Sequence, residues 1–267
     1  MQTRQVQRRR YTGAEVHEEQ DLVAVEEPLE IRLRGRAVVV LLRTPGRDED
    51  LALGFCITEG LLPPDVGEVD VRPCENTPAE AQGNVVEVFP PAGLQPDFSR
   101  HAQPRYSNSA CGVCGTATLD NLLRNTPALQ DARTATLDEL RHAPDVLLSQ
   151  QPAFRATGGL HAAGLIDDTG AMCCVREDVG RHNATDKTLG AWALERPGPV
   201  RPRVLVVSSR AGFEIVEKAH VARVPVVVCV GAPTSLAVET AQRAGLTLCA
   251  FAARGGISVY SHPQRVR

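Results

Sequence analysis

Three short apolar runs, at 203–208, 224–230 and 246–251, are separated by stretches of helix length at 213–222 and 235–244. That alternation constrains the fold more than any other feature. Strands joined through helices of this length imply βαβ crossovers, and so a mostly parallel sheet covered on both faces. A hairpin over 161–166 and 171–175, turning at Asp167-Asp168-Thr-Gly, and a helix over about 182–194 precede it.

The first half reads differently. Strands are expected over 22–31 and 37–42, joined at Arg34-Gly35, with a helix over 48–59 that has acidic residues in its first turn and Gly60 past its end. Further strands are expected at 68–71 and 84–89, a long polar loop at 90–104, and helices near 119–123 and 137–150. The expected division is a disordered basic tail over 1–18, a β-rich domain over 19–135, and an α/β domain over 136–267.

Composition excludes several classes. A net charge of -3 gives no bulk attraction to nucleic acid or membranes, and 4% aromatic residues make a poor base-stacking surface. No apolar stretch follows the arginines of residues 1–10, so a soluble cytoplasmic protein is expected, with neither nucleic acid nor membrane as partner. Eight cysteines in a reducing compartment are not a disulfide framework. Cys56, Cys74, Cys173, Cys174, Cys229 and Cys249 lie in apolar surroundings and read as small buried hydrophobes.

Cys111-Gly-Val-Cys114-Gly is the exception. Glycine after each cysteine frees the backbone for close approach to a partner, and the thiolate is the reactive form. A structural zinc site needs two such pairs, a thioredoxin-like site needs the motif at a helix start in an early βαβ unit, and an inert pair of loop cysteines is the bland alternative.

Other constellations follow. Thr157-Gly-Gly-Leu-His161 reads by itself as a turn with a core histidine. Residues 176–187 gather Arg176, Arg181, His182, Asn183, Asp186 and Lys187 where a strand enters a helix, a density that suits a polar, multiply charged ligand better than a surface ion-pair network. Ser208-Ser-Arg210 opens a helix and offers a phosphate site, and the turn at 231–235 lies at the end of the next strand. Phe251-Ala252-Ala253-Arg254-Gly255-Gly256 adds a basic turn after the last strand. Ligands of open α/β sheets bind beyond the carboxyl ends of the strands, so the turns at 208–212 and 231–235 are expected to face one crevice.

Together the segments resemble the FdhD family of formate dehydrogenase accessory sulfurtransferases, across nearly the whole chain. The signatures are residues 108–115 around the CxxC, 157–163, 176–187, Phe213-Glu-Ile-Val-Glu-Lys218 and Ala232-Pro-Thr-Ser-Leu-Ala237. The resemblance implies a C-terminal domain of cytidine-deaminase-like fold, and a homodimer. It implies that a cysteine desulfurase loads Cys111 as a persulfide, with Cys114 as its partner. The sulfur then passes to the bis-molybdopterin guanine dinucleotide form of the molybdenum cofactor, for formate dehydrogenase. Phe251 to Gly256, with Ser208, Arg210, His161, Arg181, His182 and Asp186, are the implied cofactor contacts, and no resident metal is implied. Two departures stand out: Ser208-Ser-Arg-Ala-Gly212 replaces the family's Ser-Gly-Arg-x-Ser, and Arg254 falls one place later than the family's arginine.

A zinc deaminase would need His-x-Glu and Pro-Cys-x-x-Cys, but His161 is followed by two alanines and the CxxC lacks its proline. A cofactor-carrying chaperone without sulfur transfer is the remaining alternative.

Overall fold

The computed structural model describes residues 2–13, 15–75, 77–98, 105–107, 127–198 and 201–267. Cys111, Cys114 and the helix expected near 119–123 lie outside the described residues.

The chain opens on a hairpin, β1 (Thr3–Thr12) and β2 (Glu15–Ala24). This corrects the expected disordered tail. Cross-strand charge pairs stand in for an apolar face: Arg9 lies opposite Glu18 and Arg8 opposite Glu19. The strand expected over 22–31 is broken, because the chain leaves β2 at Ala24 and starts β3 (Glu27–Leu33) in another sheet.

β3 turns at Arg34-Gly35, both with positive φ, into β4 (Arg36–Arg43). Helix α1 (Asp48–Thr58), β5 (Asp70–Pro73), β6 (Val85–Phe89) and β7 (Arg105–Ser107) complete a five-stranded sheet of order β5-β6-β3-β4-β7. Its core holds Leu29, Ile31, Leu33, Val39 and Val88, packed against Leu51, Phe55 and Ile57 of α1. Nine of the eleven α1 residues are buried, since a second helix covers the face turned away from the sheet.

The second half contains α2 (Leu137–Ser149), α3 (Pro152–Thr157), β8 (His161–Ile166), β9 (Met172–Asp178), α4 (Arg181–Glu195), β10 (Val204–Val207), α5 (Phe213–Val221), β11 (Val226–Cys229), α6 (Ser235–Ala244), β12 (Thr247–Ala253) and β13 (Gly256–Ser261). These strands form one sheet, β13-β12-β11-β10-β8-β9. Only β10–β11 and β11–β12 are parallel, while the other three pairings are antiparallel. The sheet is therefore mixed, not mostly parallel, because hairpins were added at both edges of a parallel centre. Both faces are covered. Leu205, Val207, Val227 and Leu248 face the core under α4, α5 and α6, and Val204, Val206, Val226 and Val228 face that under α2.

Helix α4 ties the two sheets together. It packs along α1, and Gly54 and Gly190 allow the approach: a Cβ on Gly190 would stand 2.6 Å from the Gly54 nitrogen. Among the described residues no helix is long and apolar enough to cross a membrane.

Candidate functional site

The residues at 176–187, expected to meet a ligand, mostly meet one another and the first sheet. Asp178 is fully buried and pairs with Lys187 at 2.7 Å. It also accepts the backbone N–H groups of Thr44 and Gly180 and the Asn183 amide. Lys187 donates to the Thr44 carbonyl and Asn183 to the Leu42 carbonyl, so the end of β4 is stitched to the start of α4. Arg176 pairs with Asp50 of α1 at 2.6 Å, and Glu177 accepts the first N–H groups of α3.

Asp186 is corrected in the same way. Its carboxylate, 2% exposed, accepts from Thr58 at 2.8 Å and from Lys218 at 3.0 Å. Burial raises it to about 6 against the opposing pull of Lys218. Burial opposes the Lys218 charge, but Asp186 and Glu59 more than offset that and hold the ammonium above its ordinary range. Asp186 thus holds α1, α4 and α5 together, with both carboxylate oxygens engaged inside the protein. The sequence density was real, but polarity alone does not say whether the partner is a ligand or another element.

A second group of residues converges on open space. A crevice of about 580 Å³ lies beyond the carboxyl ends of β10, β11 and β12, lined by His161, Ser208, Val230, Ala252, Ala253 and Arg254 from the strand ends. Gly158, Gly159, Gln151 and Phe154 close its other side with residues of α2, including Leu147 and Asp145. His161 opens β8, which runs antiparallel to β10, and this brings it beside Ser208.

The crevice chemistry follows from these positions. Ser208 Oγ accepts the Ala162 N–H at 2.9 Å and lies 3.4 Å from His161 Nδ1. Its own proton can be offered to Nδ1, in which tautomer Nε2 is the ring's donor. Burial first, and the Arg181 charge second, hold His161 below its ordinary pKa. His182 lies deeper, pushed down to about 3 by burial, Lys218 and Arg181. Its Nε2 has no hydrogen-bond partner among the described residues and stands 3.9 Å from Glu214.

The turn at 251–256 is a hairpin. Arg254 and Gly255 both have positive φ, Ala253 pairs with Gly256, and Arg141 donates to the Gly255 carbonyl at 2.6 Å. Phe251 also has positive φ and is 51% exposed. Arg210 is exposed beside Gly231, where a Cβ would meet the Arg210 Cγ at 3.0 Å. The turns after β10 and β11 are joined by Ala211 N–H to the Ala232 carbonyl and Gly231 N–H to the Ser209 carbonyl. Sequence reasoning missed the α2 and α3 wall of the crevice. It also missed β13, although Arg254-Gly255 repeats the Arg34-Gly35 signature. A larger hollow of about 640 Å³ is rimmed by Asp97, Pro127, Arg201 and His220, next to stretches outside the described residues.

Fold and crevice together define a mixed α/β protein with a largely apolar cleft at the strand ends, in which His161, Ser208, Gln151, Asp145 and Arg254 are the polar side chains. Residues 24–267 match the family described as FdhD/NarQ, and the chain belongs to that family. Relatives named "Sulfur carrier protein FdhD" include one from Anaeromyxobacter sp. (strain K), 44% identical over 92% of this chain and 88% of its own. One from Nocardia farcinica is 43% identical, covering 97% and 92%. A solved structure, a candidate formate dehydrogenase accessory protein from Desulfotalea psychrophila, covers all of both chains with a TM-score of 0.74 at 21% identity, which speaks for the fold.

Proposed function

We propose that this chain is a sulfur carrier in formate dehydrogenase maturation. The observation that carries the reading is the match to relatives of that name over a span that contains Cys111 and Cys114. In this reading the Cys111 thiolate attacks the terminal sulfur of a cysteine desulfurase persulfide. The desulfurase cysteine leaves as a thiolate and Cys111 keeps the sulfur. Cys114 then attacks Cys111 Sγ, the S–S bond breaks, and the terminal sulfur leaves as sulfide. Its two electrons come from the two cysteine sulfurs, which are oxidised to the Cys111–Cys114 disulfide.

The acceptor is the molybdenum of the bis-molybdopterin guanine dinucleotide cofactor, bound as substrate. Arg254 in the crevice suits its phosphates, with Arg210 exposed on the turn after β10 and the Arg181 charge near His161. The exposed Phe251 ring suits a base, and His161 an oxygen of the ligand. The test uses a host that makes formate dehydrogenase but lacks its own carrier. Cys111→Ala is expected to retain GDP binding and restore no dehydrogenase activity. Full activity from that variant overturns the carrier role and leaves a cofactor chaperone.

A further inference from the structure

Of the two adjacent cysteines on β9, Cys174 is buried as expected, whereas Cys173 is only half-buried. In a regular strand neighbouring side chains point to opposite faces. Here the ladder slips: Ala163 pairs with Arg176 but Leu165 pairs with Cys173, so Gly164 alone stands opposite Cys174 and Val175. This is a β-bulge, and Cys174 occupies its left-handed position with φ of 52°. A non-glycine residue in that conformation is strained, and such strain collects at functional positions. Gly164 fits the space opposite: a Cβ there would meet Met172 Sδ at 3.0 Å and Leu147 Cδ1 at 3.1 Å.

The bulge leaves both cysteines on the same side of the sheet, Cys174 in the core under α4, α5 and α6 and Cys173 packed against it. Arg196 Nη1 lies 3.5 Å from Cys173 Sγ, and its guanidinium is stacked 4.3 Å from the Trp192 ring centroid, which fixes it in place. The other charges near the pair are Asp167, 3.9 Å from Arg196, Glu195, 3.5 Å from Cys174 Sγ, and Arg176, 3.4 Å from Glu195. The Leu165 carbonyl, 3.4 Å from Cys173 Sγ, accepts its proton in the neutral state.

The balance favours the Cys173 thiolate: the Cys174 S–H and Arg196 lower it against the opposing effects of burial and Asp167. Cys174 is raised, by the neighbouring Cys173, by burial and by Glu195, and stays a thiol whose proton the Glu195 carboxylate accepts. Cys173 is half-buried, whereas Cys56, Cys229 and Cys249 are buried with their thiols pushed up by burial. A partly exposed thiolate beside a fixed cation is the setting of a reactive cysteine.

We propose that Cys173, with Cys174 and Arg196 beside it, is a second nucleophilic thiol site that exchanges with low-molecular-weight disulfides and polysulfides. The Cys173 thiolate attacks one sulfur of the S–S bond, that bond breaks, and the other sulfur leaves as a thiolate. No further oxidant is required. Arg196 also favours an anionic partner such as glutathione disulfide. The site is independent of the sulfur-carrier reading, so its test is run without Cys111 and Cys114.

The full chain carrying Cys111→Ala and Cys114→Ala is exposed at pH 7 to limiting glutathione disulfide or, separately, inorganic polysulfide, and mapped by peptide mass spectrometry. The first adduct is expected on Cys173 in at least one arm. Its mass, a glutathionyl group or a single sulfur, identifies the source. Cys173→Ser removes it, and Cys174→Ser keeps it while slowing its formation. Arg196→Ala slows it about threefold, the loss of thiolate fraction being partly offset by the higher nucleophilicity of a more basic thiolate. Arg196→Lys restores most of the rate. A first adduct on the half-buried Cys74 in both arms overturns the proposal, as does a Cys173 rate indifferent to Arg196.

Discussion

Gly54 of α1 and Gly190 of α4 pack backbone to backbone, with no room for a methyl group on either: a Cβ on Gly54 would overlap the Asp186 carbonyl, and one on Gly190 the Asp50 carbonyl. This contact sets the distance between the two sheets. Gly190→Ala is expected to cost about 3 kcal/mol or more, since backbone cannot yield as a side-chain tip does. The denaturant midpoint of the variant checks it, and an unchanged midpoint would mean the helices are free to part.

Lys187 and Asp178, 1% and 0% exposed, form the buried pair behind that contact. Lys187→Met leaves the Asp178 carboxylate buried with only neutral donors, and a loss of about 3–5 kcal/mol is expected. Asp178→Ala should cost at least as much, because the Thr44 and Gly180 N–H groups lose their acceptor as well. Chemical unfolding of both variants tests the order.

His182 makes stability depend on pH. Its folded value, about 3, lies below the ordinary 6.5. Between those values the unfolded chain binds a proton that the folded chain refuses, so stability present above pH 6.5 is lost as pH falls toward 3. Asp186, raised to about 6, acts in the opposite sense: its contribution is present below its unfolded value near 3.8 and lost as pH rises through 6. The comparison with His182→Gln isolates the histidine. The stability difference, wild type minus variant, is expected to fall by about 3 kcal/mol from pH 7 to pH 4. A constant difference would show that His182 titrates as a solvated histidine.

The crevice predicts a binding defect without a folding defect. Arg254 sits at a hairpin tip, so Arg254→Ala is expected to leave the unfolding midpoint unchanged and weaken GDP binding at least about tenfold, as for a charged hydrogen bond lost to phosphate. Calorimetric titration measures it. Unaltered affinity would move the nucleotide away from the strand ends.

What the sequence made legible was set by local pattern. The strands at Val204–Val207 and Val226–Cys229 are continuous apolar runs because both their faces are covered, and helix Ser235–Ala244 carries its own Thr234 cap and terminal Gly245. Pattern also put Ser208 at a crevice beyond the strand ends, and the family resemblance added Arg254. It could not show that Asp186 and Lys187 point inward, since a buried ion-pair network and a ligand site use the same residue types. Nor could it show strand β1, which is held by arginine–glutamate pairs, or the left-handed Cys174, whose bulge depends on a slip against Gly164.

The central claim, a sulfur carried on Cys111, is tested most directly by mass. The purified chain is incubated with an active cysteine desulfurase and cysteine, and its peptides are weighed. The account predicts one added sulfur on the peptide bearing Cys111, absent from that peptide in Cys111→Ala. No added sulfur there, with the same desulfurase loading another acceptor, would contradict it.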